Sequence, residues 1–408
     1  MNSSWTWRQY AIFRTLLGVY LLIHFVHLVP WGPELFSSIG MLADAEHSPL
    51  IRLFPNLLRW FDSPAVVTGL LVLGAGAALL LIVGRFDRSA ALAMWFLLAC
   101  LFGRNPLIAN PSMPVVGWLL LFHALLPRRH EPWGASKDNG ATTLPAVFVT
   151  LAWFMLAVAY GYSGWTKLFS EAWVQGETVR WVLENPLARA TGLRGALLAT
   201  PAWLLQSVTV GILGLELLFA PLALVRRARP WIWLGMLLVQ FGFLVLLDFA
   251  DLTTPMLLLH LLTFDPAWLL GRGDARSASI YYDGDCGFCH ASIKFVLAED
   301  RGAVFQFAPM QGRTAEAFVP DVANQIDYES LVVVTDNGER LEKFRASRYI
   351  LLALGGLWGV AGKACCCVPH RIGDALYTLV ARNRRRLFPA PPGLCPVLPE
   401  SVAARFAL

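Results

Sequence analysis

Charge is scarce in this chain of 408 residues: Asp, Glu, Lys and Arg supply 15% of it, against 56% hydrophobic side chains. Soluble domains carry about 25% charged residues, so an entirely soluble or disordered protein is excluded. Cysteine is nearly missing from the first two-thirds, where Cys100 stands alone; the other six of seven lie beyond residue 285. A long chain with that distribution is not a secreted disulfide scaffold, and the clustering points to redox or metal chemistry. A broad basic face is lacking too. The net charge of +5 is modest and much of it sits in one run, Arg382-Asn383-Arg384-Arg385-Arg386, without interleaved aromatics. Nucleic-acid binding is therefore not expected. The run reads either as a solvated face or as a patch drawn to anionic lipid headgroups.

What is abundant is apolar sequence, crowded into residues 1 to 270 and accompanied by 16 Trp and 25 Phe, side chains that collect where lipid meets water. The first apolar run, Trp7 to about Trp31, has Arg14 inside it and no small-residue cleavage site, so it reads as a retained span. Further runs lie at about 65–84, 89–103, 113–127, 145–163, 201–225, 231–250 and 252–271. Together they predict an α-helical transmembrane bundle of about eight spans over residues 1–271, although some fall short of the roughly 20 residues that cross a hydrocarbon core. With loops taken in alternation, the N-terminal side holds ten Lys or Arg: Arg85, Arg88, Arg128, Arg129, Lys137, Arg226, Arg227, Arg229, Arg272 and Arg276. The opposite loops hold seven over a longer stretch: Arg52, Arg59, Arg104, Lys167, Arg180, Arg189 and Arg194. The positive-inside rule then puts both termini, and everything after the bundle, in the cytoplasm of a cell that carries the protein in its inner membrane.

Ionisable groups inside spans are costly enough to be functional hypotheses. Glu216 lies deep in the run 201–225, with no basic residue in that span. His24 and His27 share one helical face, while His123 and His260 occupy other spans and Asp248 and Asp251 bound a tight connection. Hydrogen bonding between helices accounts for such residues more simply than haem or metal ligation. In Tyr160-Gly-Tyr-Ser-Gly-Trp-Thr-Lys167-Leu168 a lysine follows an apolar span through two glycines. It reads either as a snorkelling side chain or as a desolvated general base.

Residues 8 to about 270 resemble the HTTM transmembrane domain shared with vitamin K-dependent gamma-carboxylases. The resemblance rests on Leu101-Phe-Gly-Arg104-Asn-Pro106, on Ser163-Gly-Trp-Thr-Lys167-Leu168 through Trp173, and on Glu216-Leu-Leu-Phe-Ala-Pro221. It implies that Lys167 is the base that deprotonates a vitamin K hydroquinone, and that Lys167, Glu216 and Arg104 line a site for a quinone or vitamin K-like lipid. No large extracytoplasmic domain for a protein substrate follows the bundle, which sets the chain apart from a true carboxylase.

After a linker at 272–278 the pattern changes to alternating strands and helices over 279–408. Strands are expected at 279–283 and 303–308, helices at about 290–299, 314–325, 347–357 and 371–383, and a hairpin of 331–335 with 340–344 across Asp336-Asn337-Gly338. Cys286-Gly-Phe-Cys289 stands at a strand-to-helix junction of a βαβ unit, the setting of a thioredoxin-like redox pair. The helix start offers unpaired N–H groups and the positive dipole end, which favour a thiolate on the earlier cysteine. Cys286 is thus the expected nucleophile, nearer solvent, and Cys289 the resolver. Asp283 and Asp285 oppose that unless Asp285 caps the helix. Zinc is the competing reading, with Cys365, Cys366, Cys367, Cys395, His290 or His370 completing a set, but no second CxxC or HxxxH supplies the usual spacing.

Residues 279 to about 397 also resemble the DCC family of thiol-disulfide oxidoreductases, through Asp283-Gly-Asp-Cys286-Gly-Phe-Cys289, Phe307-Ala-Pro-Met-Gln311, Ser347, and Asp374 to Phe388 with Tyr377, Ala381, Arg382, Asn383 and Arg384. The resemblance implies a paired-thiol role for Cys286 and Cys289, with Asp283 as signature acid. Unlike thioredoxin, the segment Tyr328-Glu-Ser-Leu331 before the third strand has no proline. The expected protein is a membrane-anchored thiol-disulfide oxidoreductase of protein-disulfide reductase type, acting on a disulfide-bearing protein or small thiol. A carboxylase- or epoxidase-like membrane enzyme and a metal-binding module are the alternatives.

Overall fold

The computed structural model describes residues 5–108, 110–126, 144–270, 277–300, 302–319, 331–387 and 404–406. It divides into two compact units, one of Tyr10–Pro127 with Pro145–Phe264, the other containing Ser3–Gln9 and Asp265–Leu408.

The first unit is helical. Its principal helices are α1 (Trp7–Leu28), α2 (Pro64–Val83), α3 (Asp87–Arg104), α4 (Met113–Leu125), α5 (Ala146–Lys167), α6 (Ala202–Leu224), α7 (Arg229–Leu246) and α8 (Ala250–Thr263). Local chemistry sets their ends. In α2 the Ser63 side chain accepts from Val66 N, Pro64 occupies the first turn, and Gly84 closes the helix at φ 77°. That is the arrangement expected of proline at the start and glycine at the end.

The eight apolar runs therefore all become helices, but among the described residues five are long and apolar enough to cross a membrane: α1, α2, α5, α6 and α7. The other three leave the expectation of about eight spans unconfirmed. α3 includes Asp87, Arg88 and Arg104, and α4 and α8 have 13 and 14 residues, a rise of about 20 Å at 1.5 Å per residue.

The second unit holds a four-stranded mixed sheet. Its elements are β1 (Ala278–Tyr282), α9 (Gly287–Glu299), β2 (Phe305–Pro309), α10 (Arg313–Phe318), β3 (Val332–Thr335), β4 (Arg340–Glu342), α11 (Lys343–Leu354), α12 (Gly356–Ala364) and α13 (His370–Leu387). Strand order is β2-β1-β3-β4. β1 runs parallel to β2, with Ile280 opposite Phe307, and antiparallel to β3, with Ile280 opposite Val333; β3 and β4 form a hairpin. Parallel neighbours need a crossover, and α9 is that crossover.

Alternation sorts the strand residues between two faces. Ile280, Phe305, Phe307, Val333 and Leu341 pack with Ile293 and Val296 of α9 and Ile350 of α11. Tyr281, Ala308 and Val332 pack on the other face with Ala315 of α10. The hairpin turns where Asp336-Asn337-Gly338 predicts, with Gly338 at φ 75°. The expected helix at 314–325 ends at Phe318 among the described residues. Tyr328, Cys395 and most of the linker lie outside them.

Candidate functional site

β1 delivers the chain to the CxxC segment. At its end Asp283, 3% exposed, accepts from Asp285 N at 3.1 Å and from the Gln311 side-chain amide at 3.0 Å. Gln311 Oε1 in turn accepts from Gly284 N at 3.0 Å. The loop Asp283-Gly284-Asp285 is thus clamped to the end of β2 by one glutamine. His290 Nε2 lies 2.6 Å from Gly284 O, and its ring meets Tyr282 edge-on. A side chain at Gly284 would approach Gln311 Oε1 to 2.9 Å, so the clamp requires glycine there.

Cys286 is the N-cap of α9, and its Sγ accepts from Cys289 N at 3.4 Å. Both cysteines are reduced thiols. The sulfur that reads as the nucleophile therefore sits at the positive end of the helix, as expected. Two expectations are corrected. Cys286 occupies the cap that was open to Asp285, because the chain is still extended at Cys286 and turns helical at Gly287. Cys286 is also not the more exposed thiol: it is 1% exposed and Cys289 7%, since both belong to the core beneath the sheet. Asp283 holds the loop through its hydrogen bonds to Asp285 N and the Gln311 amide.

Sequence reasoning quoted Gln311 within a motif and His290 as a zinc ligand, and missed both as loop holders. The legible signal was position: in a parallel pair, residues just past the two strand ends meet. Among the described residues no three His, Cys, Asp or Glu side chains gather as ligands for a metal. Cys366 and Cys367 are exposed in the 3₁₀ turn Cys365–Cys367, and Cys365 is half-buried.

In the helical unit Lys167 and Glu216 come together. Lys167 Nζ donates to Glu216 Oε1 at 2.5 Å and lies 4.3 Å from the centre of the Trp173 ring. Side-chain exposure is 18% and 5%. The partner that α6 lacks comes from α5, and Gly164 allows the approach: a Cβ there would stand 3.0 Å from Leu217 N and 3.1 Å from Glu216 Cβ. Among the described residues, buried Glu216 Oε2 finds no hydrogen-bond partner. One helix turn before Gly164, the Tyr160 hydroxyl pairs with His260 Nε2 at 2.7 Å and accepts from Gln240 at 3.2 Å.

Arg104 has a different occupation. Fully buried, it donates to the carbonyls of Leu42, Ser37 and Ala43 and to Asp62, while Asn105 donates to Leu35 O. The Gly103-Arg104-Asn105 stretch is a clamp on the preceding loop, and nothing ties Arg104 to Lys167 or Glu216. His24 bonds Asp251 at 2.9 Å and His123 bonds Tyr10 at 2.8 Å. With the His260 bond, these are the interhelical uses expected of buried histidines.

Comparison with known proteins bears on the C-terminal part. The uncharacterized protein YuxK of Bacillus subtilis (strain 168) is 23% identical over 109 residues, which is 27% of this chain and 79% of that protein. No solved structure matches. Residues 280–390 match the family described as DCC1-like thiol-disulfide oxidoreductase, so the CxxC at the start of α9 lies within a domain of that kind.

Proposed function

We propose that the chain is a membrane-embedded thiol-disulfide oxidoreductase whose working pair is Cys286 and Cys289, acting as a protein-disulfide or small-disulfide reductase. The observation that carries the reading is the cap: the Cys286 sulfur already accepts a backbone N–H at the positive end of α9, with its partner one turn on. The Cys286 thiolate attacks one sulfur of a substrate disulfide and the other substrate sulfur leaves as a thiol. Cys289, giving up its proton, then attacks Cys286 in the mixed disulfide. The second substrate thiol is released, and two electrons have passed from the pair to the substrate. A thiol reductant must return the pair to its reduced form. Because Cys286 is almost fully covered, attack needs local opening around it, and the neighbouring loop 283–285, held by Gln311, is the segment proposed to give way. Asp283 is a positioning residue in this reading.

The test uses the full chain in detergent, equilibrated across glutathione buffers and quenched with an alkylating agent before peptide mapping. A reversible Cys286–Cys289 disulfide is expected, and Cys289→Ser is expected to retain substrate as a mixed disulfide on Cys286. Absence of that disulfide at every ratio removes the reading.

A second reading concerns the helical unit, favoured by the Lys167–Glu216 pair and the unsatisfied Glu216 Oε2. These residues fit the polar head of a quinone-like lipid: a ring hydroxyl would donate to Oε2, and Lys167 would hold or take up a proton at the ring oxygen, beside a carboxylate able to share it. Such a lipid, when bound, supplies a two-electron, two-proton couple within the membrane. Arg104 is not needed for this. Loss of quinol turnover in Lys167→Ala with turnover unchanged in Cys286→Ser would assign a carboxylase- or epoxidase-like activity to the bundle. The chain is proposed to reside in the inner membrane with its C-terminal domain in the cytoplasm, where a reducing environment favours the reductase direction.

A further inference from the structure

Among the described residues, the last long helix of the C-terminal unit has one face packed and one exposed. On the packed face, Gly373 lies so close to Phe344 that a Cβ would come within 2.3 Å of that ring. Asp374 accepts from Phe344 N at 3.3 Å, and the Tyr377 hydroxyl accepts from Leu331 N at 3.0 Å. Rotated from these by about a quarter to a third of a turn, at 100° per residue, Ile372, Leu376, Leu379 and Val380 form a stripe at i, i+4, i+7 and i+8. They are 54%, 57%, 60% and 48% exposed. Four large aliphatic side chains on one stripe differ from the single exposed apolar residues that any surface carries.

The charges around the stripe have one sign. From His370 to Leu387 the sequence has five arginines, Arg371, Arg382, Arg384, Arg385 and Arg386, and a single acid, Asp374. That acid is on the packed face. Arg371 and Arg382 are exposed and fall by helical angle along one flank of the stripe. An apolar stripe with a cationic flank is the composition of helices that lie in the plane of a lipid interface, apolar side chains among the acyl chains and arginines at the headgroups. The same chain carries five helices long and apolar enough to cross a membrane, so α13 is tethered within reach of a bilayer. A protein groove would need to supply acidic side chains on one edge only, whereas an anionic lipid surface supplies that charge along the whole helix.

We infer that α13 is an interfacial helix that docks the CxxC domain onto the surface of an anionic bilayer through Ile372, Leu376, Leu379 and Val380, with Arg371 and Arg382 on lipid phosphates. The inference does not depend on the redox reading, since it concerns a face of the domain remote in sequence from Cys286. Docking fixes which side of the domain meets substrate and keeps it at the membrane whether or not the thiols react.

The test is amide hydrogen exchange on the full chain reconstituted in nanodiscs, of phosphatidylcholine alone or mixed with phosphatidylglycerol. Exchange over 370–383 should slow at least about fivefold in the anionic discs, the effect of one basic residue held at such a surface. The slowing should shrink at about 1 M salt, where screening extends only a few ångströms. Leu376→Glu with Leu379→Glu should abolish the lipid dependence while exchange in 278–282 and 332–335 stays unchanged. If that variant does not fold, replacing Arg382, Arg384, Arg385 and Arg386 by Gln leaves the apolar stripe intact and should remove the preference for the anionic lipid. Equal exchange in both discs overturns the proposal. So does protection that follows protein concentration rather than lipid, which would put a second copy of the chain on the stripe. Protection that persists in detergent at every dilution also overturns it, by putting a segment of the same chain there.

Discussion

Replacing the Cys286 sulfur by oxygen or by nothing separates its two roles. As N-cap of α9 it accepts a backbone N–H, and a serine hydroxyl does that at least as well. Cys286→Ser should leave the stability of the C-terminal domain within about 0.5 kcal/mol of the parent while abolishing disulfide exchange. Cys286→Ala should lose both, at a cost of about 1 kcal/mol for the missing cap. Urea midpoints followed by exchange of the α9 amides measure the difference, and equal stability of the two variants would remove the cap from the account. Gln311 permits a second test one layer out. Its side chain joins Asp283 to Gly284 N, and Gln311→Leu leaves the buried Asp283 carboxylate without that partner, a loss of about 1 kcal/mol. If the clamp governs access to Cys286, alkylation of native-state Cys286 should become faster in Gln311→Leu even though the thiols themselves are untouched. A rate that stays the same would make the glutamine purely structural.

Two elements carry interactions that no single segment announces. α5 and α6 cross at Gly164, and the crossing buries Lys167 against Glu216. Removing one member leaves a buried charge, so Lys167→Met alone should destabilise the helical unit by about 3–5 kcal/mol, and Lys167→Met with Glu216→Leu should recover most of it. Thermal unfolding in detergent measures the cycle. Recovery of stability without recovery of quinol turnover would distinguish a working pair from a structural one. At β2, Phe307 N donates to Arg405 O at 2.9 Å, Phe406 stacks near Phe307, and the Arg405 guanidinium reaches Phe305 O and buried Asp300. Residues 405–406 thus cover a sheet edge that would otherwise be open to other strands. Deleting residues 405–408 should raise hydrogen exchange in 305–309 and promote self-association, read by light scattering. These elements show where sequence reading succeeds. The strand-turn-helix around Cys286 and the Asp336-Asn337-Gly338 hairpin were legible because alternation, Gly and Asn act over a few residues. The Lys167–Glu216 ion pair was not legible from periodicity, because 49 positions separate its members; the resemblance put both residues at one site without giving the contact between them. The partners of Arg104 were not legible either, because the carbonyls its guanidinium meets lie some 60 residues earlier in segments without periodicity.

For the molecule as a whole, the number of membrane crossings decides on which side the proposed Cys286–Cys289 pair would work. An even number returns the chain to the side on which it began, and an odd number leaves it on the other. The eight apolar runs predict the first outcome, whereas the five helices with full length and hydropathy, taken alone, predict the second. Charge favours the even count, since the loops counted as cytoplasmic hold ten Lys or Arg in shorter stretches against seven. On the even count proposed here, α3, α4 and α8, though short or charged at their ends, would lie within the membrane beside longer neighbours; Tyr10 and His123 bond across α1 and α4, and His24 and Asp251 across α1 and α8. The exposed thiols of Cys366 and Cys367 convert this into a measurement. A membrane-impermeant maleimide should label them in inverted vesicles and leave them unlabelled in intact spheroplasts, with Cys366→Ser plus Cys367→Ser as the control that loses the signal. Labelling in intact spheroplasts would reverse the topology. It would put Cys286 and Cys289 in an oxidising compartment, and the proposed direction of electron flow would have to reverse with it, from reductase to oxidase.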